Sequence, residues 1–419
     1  MRRLLDQGWT VRAIAGPVPT AVEGLVVPAT VPGCVHTDLL AAGEIDDPYL
    51  DENEAALTWI GDVDWRYETT LTWDEQEDGA AYDVVELVAE GLDTVATLEL
   101  DGTVLGRTAN MHRTYRFGLP GDLAAGEHTL AVTFAAPVPA ADRASQELGP
   151  RPCAYEAPFN AIRKMACSYG WDWGPALVTS GIWRPISLQG WSAARLAAVR
   201  PLVDTRVEAG GTTGLLHVHV DVERAPGSTT PVTVVAEVDG RRGEVVLAPG
   251  HVSATVELEV DDVALWWPVG HGDQPLYPVV VTLGDYGTVI DSWSGDVGFR
   301  TVTLDTTPDA EGTPFTLVFN GTPVFSRGLN WIPDDCFPTR VSAERYAARL
   351  TEAVDVGANL VRVWGGGIYE SDDFYDACDR LGLMVWQDFL FACAAYAEEE
   401  PLRSEVEAEA RDAVTRLSP

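Results

Sequence analysis

The run VFSRGLNWIP at residues 324–333 is the first of three short apolar segments that decide how the last part of this chain folds. The other two are NLVRVWG at 359–365 and LMVWQDF at 383–389. Between them, apolar residues recur at helical spacing over 343–356 and 371–381, and a glycine follows each helical pattern. This alternation of strand and helix with short connections predicts parallel βαβ units.

The pattern extends to a third helix over 401–417, whose outer face is acidic. Residues 303–419 are too few for a complete (β/α)8 barrel, which takes roughly 250 residues. We therefore expect the first three βα units of an incomplete barrel. Its inner face would lack the opposite wall and leave these apolar side chains uncovered: Leu329, Val361, Val363, Val385 and Trp386. Such a face predicts that limited proteolysis trims the chain to a core ending between residues 295 and 330.

The preceding residues alternate apolar and polar side chains over short runs, as half-buried strands do. HTLAVTF at 128–134 is one such run, and Asp101-Gly102 is a strong hairpin signal. Further on, LLHVHVDV at 215–222 alternates in the same way, with turn residues every 8–12 positions. These patterns predict an all-β sandwich over 1–196 and a smaller immunoglobulin-like sandwich over 197–302.

The composition narrows the class of protein. At about 150 residues per domain, 419 residues predict two to four domains. Hydrophobic residues make up 46% and charged residues 22%, as in a typical globular protein. Asp and Glu number 64 against 28 Lys and Arg, for a formal net charge of −36. A chain this acidic repels phosphate backbones and anionic membrane surfaces, which argues against nucleic acid and membranes as partners.

The N-terminal residues and the cysteines predict the compartment. No apolar stretch of the kind found in a signal peptide follows the first residues, and no window approaches the roughly 18 apolar residues of a membrane helix. The six cysteines are dispersed and lack CxxC spacing, which disfavours disulfide scaffolds and zinc sites. We therefore expect a cytoplasmic protein with reduced thiols and without a metal or other cofactor.

The sequence GWDWGP at 170–175 places Asp172 between Trp171 and Trp173. A carboxylate can bind sugar hydroxyls while an indole packs against the apolar C–H face of a sugar ring, so the motif suits a saccharide. The alternative is structural, with a buried tryptophan pair packed on a loop and Asp172 capping local backbone. The residues by themselves leave both interpretations open.

Two further motifs fall at the carboxyl ends of predicted parallel strands, where barrel enzymes have their active sites. They are LNWIP at 329–333 and RVWGGG at 362–367, which would project Trp364 over the mouth. A tight turn after a strand accounts equally well for the glycines. Asp388 ends the third predicted strand and is a candidate supporting carboxylate.

Two other groups of polar residues are expected to lie on the protein surface. His217 and His219 lie on the same side of a predicted strand, but no local carboxylate or cysteine cluster joins them, so they are expected to face solvent rather than a metal. Glu398–Glu400 and the glutamates up to Glu409 are expected to form a solvated helix face.

Several motifs taken together carry a family resemblance: GWDWGP with GIWRP (181–185), LWWPVGHGDQPLY (265–277), GFRTV (298–302), NGTPVFSRGLNWIP (320–333) and ANLVRVWGGGIYE (358–370). They resemble the β-mannosidases of glycoside hydrolase family 2, from about Trp9 over essentially the whole chain. The resemblance implies a jelly-roll sugar-binding-like domain, an immunoglobulin-like sandwich and a (β/α)8 catalytic barrel, in that order.

The second barrel strand indicates a branch of this family. Asn359 and Arg362 match the Asn-x-x-Arg of the family's β-galactosidases and β-glucuronidases, but Trp364 and three glycines replace the His-containing stretch. The resemblance thus implies a retaining exo-β-mannosidase acting on the terminal non-reducing β-D-mannosyl residues of β-mannosides or manno-oligosaccharides. The alternatives are a β-galactosidase or exo-glucosaminidase activity, or a non-catalytic carbohydrate-binding β-sandwich protein.

The same resemblance implies a set of site residues. Those expected to bind substrate are Asp172, Trp364, Trp171, Trp173, Asn330 and Trp331, with Arg362 and Asp388 supporting them. The family uses a general acid/base glutamate and a nucleophilic glutamate about 5 Å apart. Both are expected beyond Pro419, in a missing C-terminal half-barrel, so this chain alone is expected to be inactive.

Overall fold

The computed structural model describes residues 1–74, 82–121 and 123–418, so residues 75–81 and Asp122 within the first predicted domain, and Pro419, lie outside it. The N-terminal part is a β-sandwich with a six-stranded sheet of order β3-β2-β4-β10-β7-β8 and a four-stranded sheet of order β1-β14-β5-β9. The strands are β1 Arg2–Leu4, β2 Thr10–Ala15, β3 Val27–Pro28, β4 Asp64–Trp73, β5 Val84–Ala89, β6 Leu92–Asp93, β7 Ala96–Leu100, β8 Thr103–Thr108, β9 Tyr115–Gly118, β10 Gly126–Phe134, β11 Tyr169–Trp171, β12 Gly174–Ala176, β13 Gly181–Ile182 and β14 Ile186–Trp191. The helices are α1 Val35–Ala42, α2 Asn53–Ala56 and α3 Pro137–Leu148.

The alternation of side chains explains this sandwich. Leu71, Leu98 and Leu130 point from the larger sheet into a core that also holds Leu87 and Leu188 from the smaller one. The polar residues between them face outward, so each sheet buries one face against the other.

The second part is a smaller sandwich of three and four antiparallel strands, of orders β15-β16-β19 and β18-β17-β20-β21. The strands are β15 Ala194–Glu208, β16 Gly211–Arg224, β17 Val232–Val238, β18 Arg241–Leu247, β19 Ser253–Val260, β20 Tyr277–Asp285 and β21 Thr288–Val297. Along β16, Leu216, Val218 and Val220 are buried, while His217 approaches Glu257 and His219 contacts Thr255 on the outer side. Within the described residues, no group of three or more His, Cys, Asp or Glu side chains is arranged to hold a metal.

The third part contains the parallel strands. A small antiparallel sheet comes first, followed by three parallel strands in sequential order with helices between them. The strands are β22 Val302–Asp305, β23 Thr316–Phe319, β24 Thr322–Val324, β25 Gly328–Trp331, β26 Leu360–Val363 and β27 Met384–Gln387, and the helices are α4 Ala343–Asp355, α5 Asp372–Leu381 and α6 Leu402–Leu417. Ser342 caps α4 by accepting a hydrogen bond from the backbone N–H of Arg345. None of the described helices is long and apolar enough to cross a membrane.

The predicted inner face of the parallel sheet needs a correction. Val361 and Val363 lie on the helix side, buried in one cluster with Leu350 of α4 and Phe374 of α5. Val385, in register with Val361, is partly buried against the same cluster. The prediction that these three valines lie uncovered on the inner face is therefore wrong. The opposite face carries the row Asn330, Arg362 and Trp386, which the parallel register aligns. Trp386 on this face is 46% exposed. Leu329 is 47% exposed but lies in register with Val361, so it belongs to the helix side and its predicted place on the inner face is wrong.

The acidic helix also differs from the expectation. Glu398–Glu400 and Glu407 are exposed as predicted, but Glu409 of α6 is buried and Glu405 is bonded to Arg113. The expectation of a solvated face up to Glu409 is therefore wrong, because that face packs against the N-terminal sandwich.

A buried carboxyl at Asp38 of α1 leads to a prediction about pH. Its Oδ1 accepts a hydrogen bond from Thr30 N–H and its Oδ2 accepts one from the hydroxyl of Tyr67, both at 2.9 Å. Burial raises the pKa of Asp38 from 3.8 to about 7, against the lowering effect of these hydrogen bonds. Because the folded pKa lies above the unfolded one, this group's stabilising effect is complete below pH 4 and is lost as the pH rises through 7.

We expect Asp38→Asn to be more stable than the parent chain above pH 7, by up to about 4 kcal/mol, and the difference to vanish near pH 4. Melting temperatures of the two proteins across this range test the prediction. Asp51→Asn, at an exposed position, serves as the control. An unchanged difference from pH 4 to pH 8 would show that the Asp38 carboxyl does not titrate in this range.

Candidate functional site

The two residues at the centre of GWDWGP form the tip of a hairpin. Strands β11 and β12 pair Tyr169 with Ala176 and Trp171 with Gly174, so Asp172 and Trp173 occupy the turn. Gly170 has φ +96°, and a Cβ there would lie 3.1 Å from the Cβ of Ala176. Only glycine accommodates that backbone without strain, so this residue allows the tight hairpin.

The carboxylate of Asp172 is uncommitted. It is exposed, and it makes no hydrogen bond or ion pair with any residue that the structure describes. The contact at this position comes from the backbone, where the N–H of Asp172 donates to the hydroxyl of Tyr155 at 3.0 Å. The structure therefore shows no backbone cap by the Asp172 side chain, and it leaves both carboxylate oxygens able to accept hydrogen bonds from a ligand.

Aromatic rings converge beside this carboxylate. The ring of Trp364, which follows β26, lies 4.8 Å from that of Trp171 and 5.7 Å from that of Trp173, both edge to face. Trp171 also packs on Tyr155 and Phe159, so it is held from behind. Trp173 remains 42% exposed. The structure thus brings Asp172, Trp173 and Trp364 together from two distant parts of the chain.

The glycines after Trp364 lie so close to other atoms that no side chain would fit, Gly366 against the Trp364 ring and Gly365 against the backbone of the next loop. A Cβ at Gly366 would lie 1.9 Å from Cη2 of Trp364, and one at Gly365 would lie 2.6 Å from the carbonyl oxygen of Phe389. The carbonyl of Gly366 accepts a hydrogen bond from the backbone N–H of Cys167 at 2.9 Å. The glycines thus let the Trp364 indole fold back over its own loop and bring that loop against the N-terminal sandwich.

A polar group lies on the uncovered face of the parallel sheet. Arg362 donates to Asp388 from Nε at 3.2 Å and from Nη2 at 2.6 Å, and from Nη1 to Oδ1 of Asn330 at 3.2 Å. Asp388 also accepts the backbone N–H of Gly365 at 3.1 Å. The predicted residues Asn330, Arg362 and Asp388 are therefore neighbours, and Asp388 ties the arginine to the loop that carries Trp364.

Trp331 is placed elsewhere. It lies on the helix side of the sheet, where its ring packs 4.9 Å from Phe374 and its Nε1 donates to Glu370 at 2.9 Å. Burial raises the pKa of Glu370, which also accepts from the hydroxyl of Tyr346 at 2.6 Å. Since Trp331 serves to hold sheet and helices together, we leave it out of the proposed site.

Tyr155 and Glu370 were not singled out by the sequence. Tyr155 orients the Asp172 hairpin and Glu370 holds the Trp331 indole, but each acts through a contact that only the folded chain creates. Glu370 ends the motif ANLVRVWGGGIYE, which was the one available signal for it.

Comparison with known proteins gives consistent matches. The family description "Glycosyl hydrolase 2 galactose-binding domain-like" matches residues 9–184, and "Glycosyl hydrolases family 2" matches residues 198–300. The chain is 35% identical to a β-mannosidase of Capra hircus over 94% of its length and 34% identical to a β-mannosidase B of Emericella nidulans over 99%. It covers 46% and 49% of these proteins, so it spans about half the length of the curated relatives that it matches.

Solved structures agree with these matches. The β-D-mannosidase from Dictyoglomus thermophilum superimposes on 100% of this chain with a TM-score of 0.91 and 35% identity, and 51% of that structure is covered. An exo-chitosanase from Amycolatopsis orientalis superimposes with a TM-score of 0.76 at 21% identity, which shows a shared fold.

Proposed function

We propose that this chain, which belongs to glycosyl hydrolase family 2, is part of a retaining exo-β-mannosidase that removes terminal non-reducing β-D-mannosyl residues. The β-mannosidases to which it is similar in sequence and structure support this activity over the other activities found in the family. Two of them are about twice as long as the region they share with this chain.

The proposal extends to the architecture. We assign residues 1–196 to a jelly-roll sugar-binding-like domain, 197–302 to an immunoglobulin-like sandwich and 303–419 to the start of a (β/α)8 barrel. The sequential parallel order of β25, β26 and β27, with helices covering one face, supports the barrel assignment. The uncovered face with Asn330 and Arg362 would then line the inside of the barrel.

One observation carries the site assignment: an exposed carboxylate, without a partner among the residues that the structure describes, lies beside aromatic rings supplied by two parts of the chain. Asp172 would accept hydrogen bonds from hydroxyls of the terminal mannose, and Trp173 and Trp364 would pack on its C–H face. Trp171 would hold this pair in place. Arg362 and Asp388 would fix the Trp364 loop, and Asn330, held by Arg362, would lie beside them on the face that lines the proposed barrel.

Chemistry at the glycosidic bond requires two carboxyl groups that the resemblance does not place among these 419 residues. We therefore expect the chain alone to hydrolyse p-nitrophenyl β-mannoside no faster than buffer does. The release of p-nitrophenol by rigorously purified protein measures this. Turnover that persists through purification and disappears in an Asp388→Asn variant would show that a carboxylate of this chain does the chemistry.

Binding can be tested without turnover. We expect D-mannose to quench the tryptophan fluorescence of this chain saturably, and to do so at lower concentration than D-galactose or D-glucosamine. Asp172→Asn should weaken D-mannose binding at least tenfold, whereas Asp355→Asn, on the exposed end of α4, should leave it unchanged. Equal binding of the three sugars, or equal effects of the two substitutions, would contradict the assignment.

A further inference from the structure

Helix α6 meets the N-terminal sandwich through three carboxylates. Glu405, Glu409 and Asp412 are spaced four and three residues apart, which places them on one face of the helix. Their partners are Arg163 and the segment 110–115 of the sandwich. We call this set of contacts the α6 clasp.

The centre of the α6 clasp is a buried ion pair. Arg163 donates to Glu409 from Nε at 2.8 Å and from Nη2 at 2.6 Å, and the two side chains are only 3% and 2% exposed. Nδ2 of Asn110 donates to Oε2 of Glu409 at 2.9 Å, and the hydroxyl of Tyr369 donates to Oε1 at 3.2 Å. Both oxygens of the carboxylate are therefore fully used, and the planar guanidinium fixes its orientation.

Further contacts flank this centre on both sides. Glu405 accepts from Arg113 at 3.0 Å and from the hydroxyl of Tyr115 at 2.9 Å. One turn beyond Glu409, Asp412 accepts from the backbone N–H of Thr114 at 3.2 Å. The helix is thus fixed along its length, and rotation about its axis would break several of these bonds.

The pKa of Glu409 is consistent with an ionised carboxylate paired with Arg163. Burial by itself would raise the pKa of Glu409, but the hydrogen bonds and charge of Arg163, with the hydrogen bond from Asn110, hold it below its ordinary value. Replacing a buried ion pair by well-packed apolar residues costs little stability or even adds some. The pair is therefore more important for fixing how α6 and the sandwich are oriented than for the stability of the contact.

The α6 clasp contacts two loops of the proposed site and is joined to the Asp172 hairpin through the chain. The guanidinium of Arg163 lies 5.1 Å from the ring of Phe391 and 5.8 Å from that of Tyr396, in the loop that follows Asp388. Tyr369 belongs to the loop of Trp364. The backbone of Arg163 itself precedes the Asp172 hairpin in the same connecting segment, and its carbonyl accepts the N–H of Met111 at 3.0 Å.

We infer that Arg163 and Glu409 are positioning residues of the sugar site, which hold the Asp172 hairpin at a set distance from the loops of Trp364 and Asp388. The consequence for sugar binding rests on the proposed function. The positioning itself does not, because it concerns three loops of this chain and can be measured without a ligand.

Two variants separate positioning from stability. Arg163→Lys keeps the charge and removes the planar fork, so the chain should fold while the orientation of Glu409 is lost. The double variant Arg163→Met with Glu409→Leu removes both charges at similar volume and should melt within a few degrees of the parent chain. Arg116→Lys is the control, because Arg116 is an exposed residue that pairs with Glu86 at 3.0 Å on the smaller sheet of the sandwich, and its described hydrogen bonds reach only Glu86 and Gln189 of that sheet.

The measurements are amide hydrogen exchange of the whole 419-residue chain and the affinity for D-mannose. We expect both Arg163 variants to raise exchange at least tenfold over residues 364–371 and 388–400, with strands β4 and β10 unchanged. D-Mannose affinity should fall at least tenfold in both, including the double variant whose melting temperature is preserved. Arg116→Lys should change neither quantity.

A double variant with parental exchange in these loops and parental affinity would overturn the inference and leave the pair a purely structural contact. Failure of the parent chain to bind D-mannose would count against the proposed function instead, and the exchange result would then decide the positioning role by itself.

Discussion

Replacing Asp172 with asparagine, in a protein that carries this chain together with the half that its relatives have in addition, should lower kcat/KM for a β-mannoside about tenfold to a hundredfold. Hydrogen bonds to charged groups are worth roughly 1.5–3 kcal/mol, and asparagine keeps the shape of the side chain but loses the charge. Steady-state kinetics with p-nitrophenyl β-mannoside measures the effect.

The thermal stability of the Asp172 variant should hardly change, because the carboxylate is exposed and has no partner among the described residues. The control is Asp355→Asn, which should leave both kinetics and melting temperature as they are. A collapse of the melting temperature with normal activity per folded molecule would show instead that Asp172 is a structural residue.

Much of the fold could be predicted because its causes are local. In β16, alternate residues such as Leu216 and Val218 are apolar. This period of two predicts a strand with one buried face, whichever sheet the strand joins. The parallel strands could be predicted for a related reason, since short apolar runs alternate with helical patterns that end at Gly357 and Gly382.

The features that could not be predicted depend on which other part of the fold packs against a given face of a helix or strand. The spacing of residues along the chain does not contain that information. Glu409 looks like any acidic residue on a helix, and only the approach of Arg163 from a remote segment makes it buried. Val361 and Val363 were assigned to the wrong face because the alternation of a strand identifies two faces without saying which one the helices cover.

The candidate site shows the same division. GWDWGP by itself allowed both a sugar site and a packed tryptophan pair. In the structure Trp171 is packed, while the Asp172 carboxylate has no partner among the described residues and remains available for the proposed sugar contact. The proximity of Trp364 to this hairpin follows from the contact between loops of two different parts of the chain, which the family resemblance implied but spacing could not.

The anchoring of the third part changes the expectation about its stability. The sequence predicts that an open parallel sheet is trimmed by proteases near residues 295–330. In the structure the segment of residues 303–342, which overlaps this region, inserts Phe337 into the N-terminal part, where its ring packs 5.5 Å from that of His36 and 6.1 Å from that of Tyr49. Together with the α6 clasp, this contact leads us to expect a chain that resists trimming as long as the anchors hold.

Phe337→Ala should therefore release this segment. The Phe337 side chain is 1% exposed, and removing a buried phenylalanine ring costs about 3–5 kcal/mol. If this cost falls on the anchoring of the segment, the fraction of molecules in which the segment is detached rises more than about a hundredfold. Limited proteolysis should then cut within residues 303–342 at least a hundred times faster than in the parent chain. Phe315→Ala, at a 62% exposed position of the same segment, should change the rate less than about threefold. Equal rates for the two variants, or rapid cleavage of the parent chain at this point, would show that the open sheet and not its anchor governs the stability of the segment.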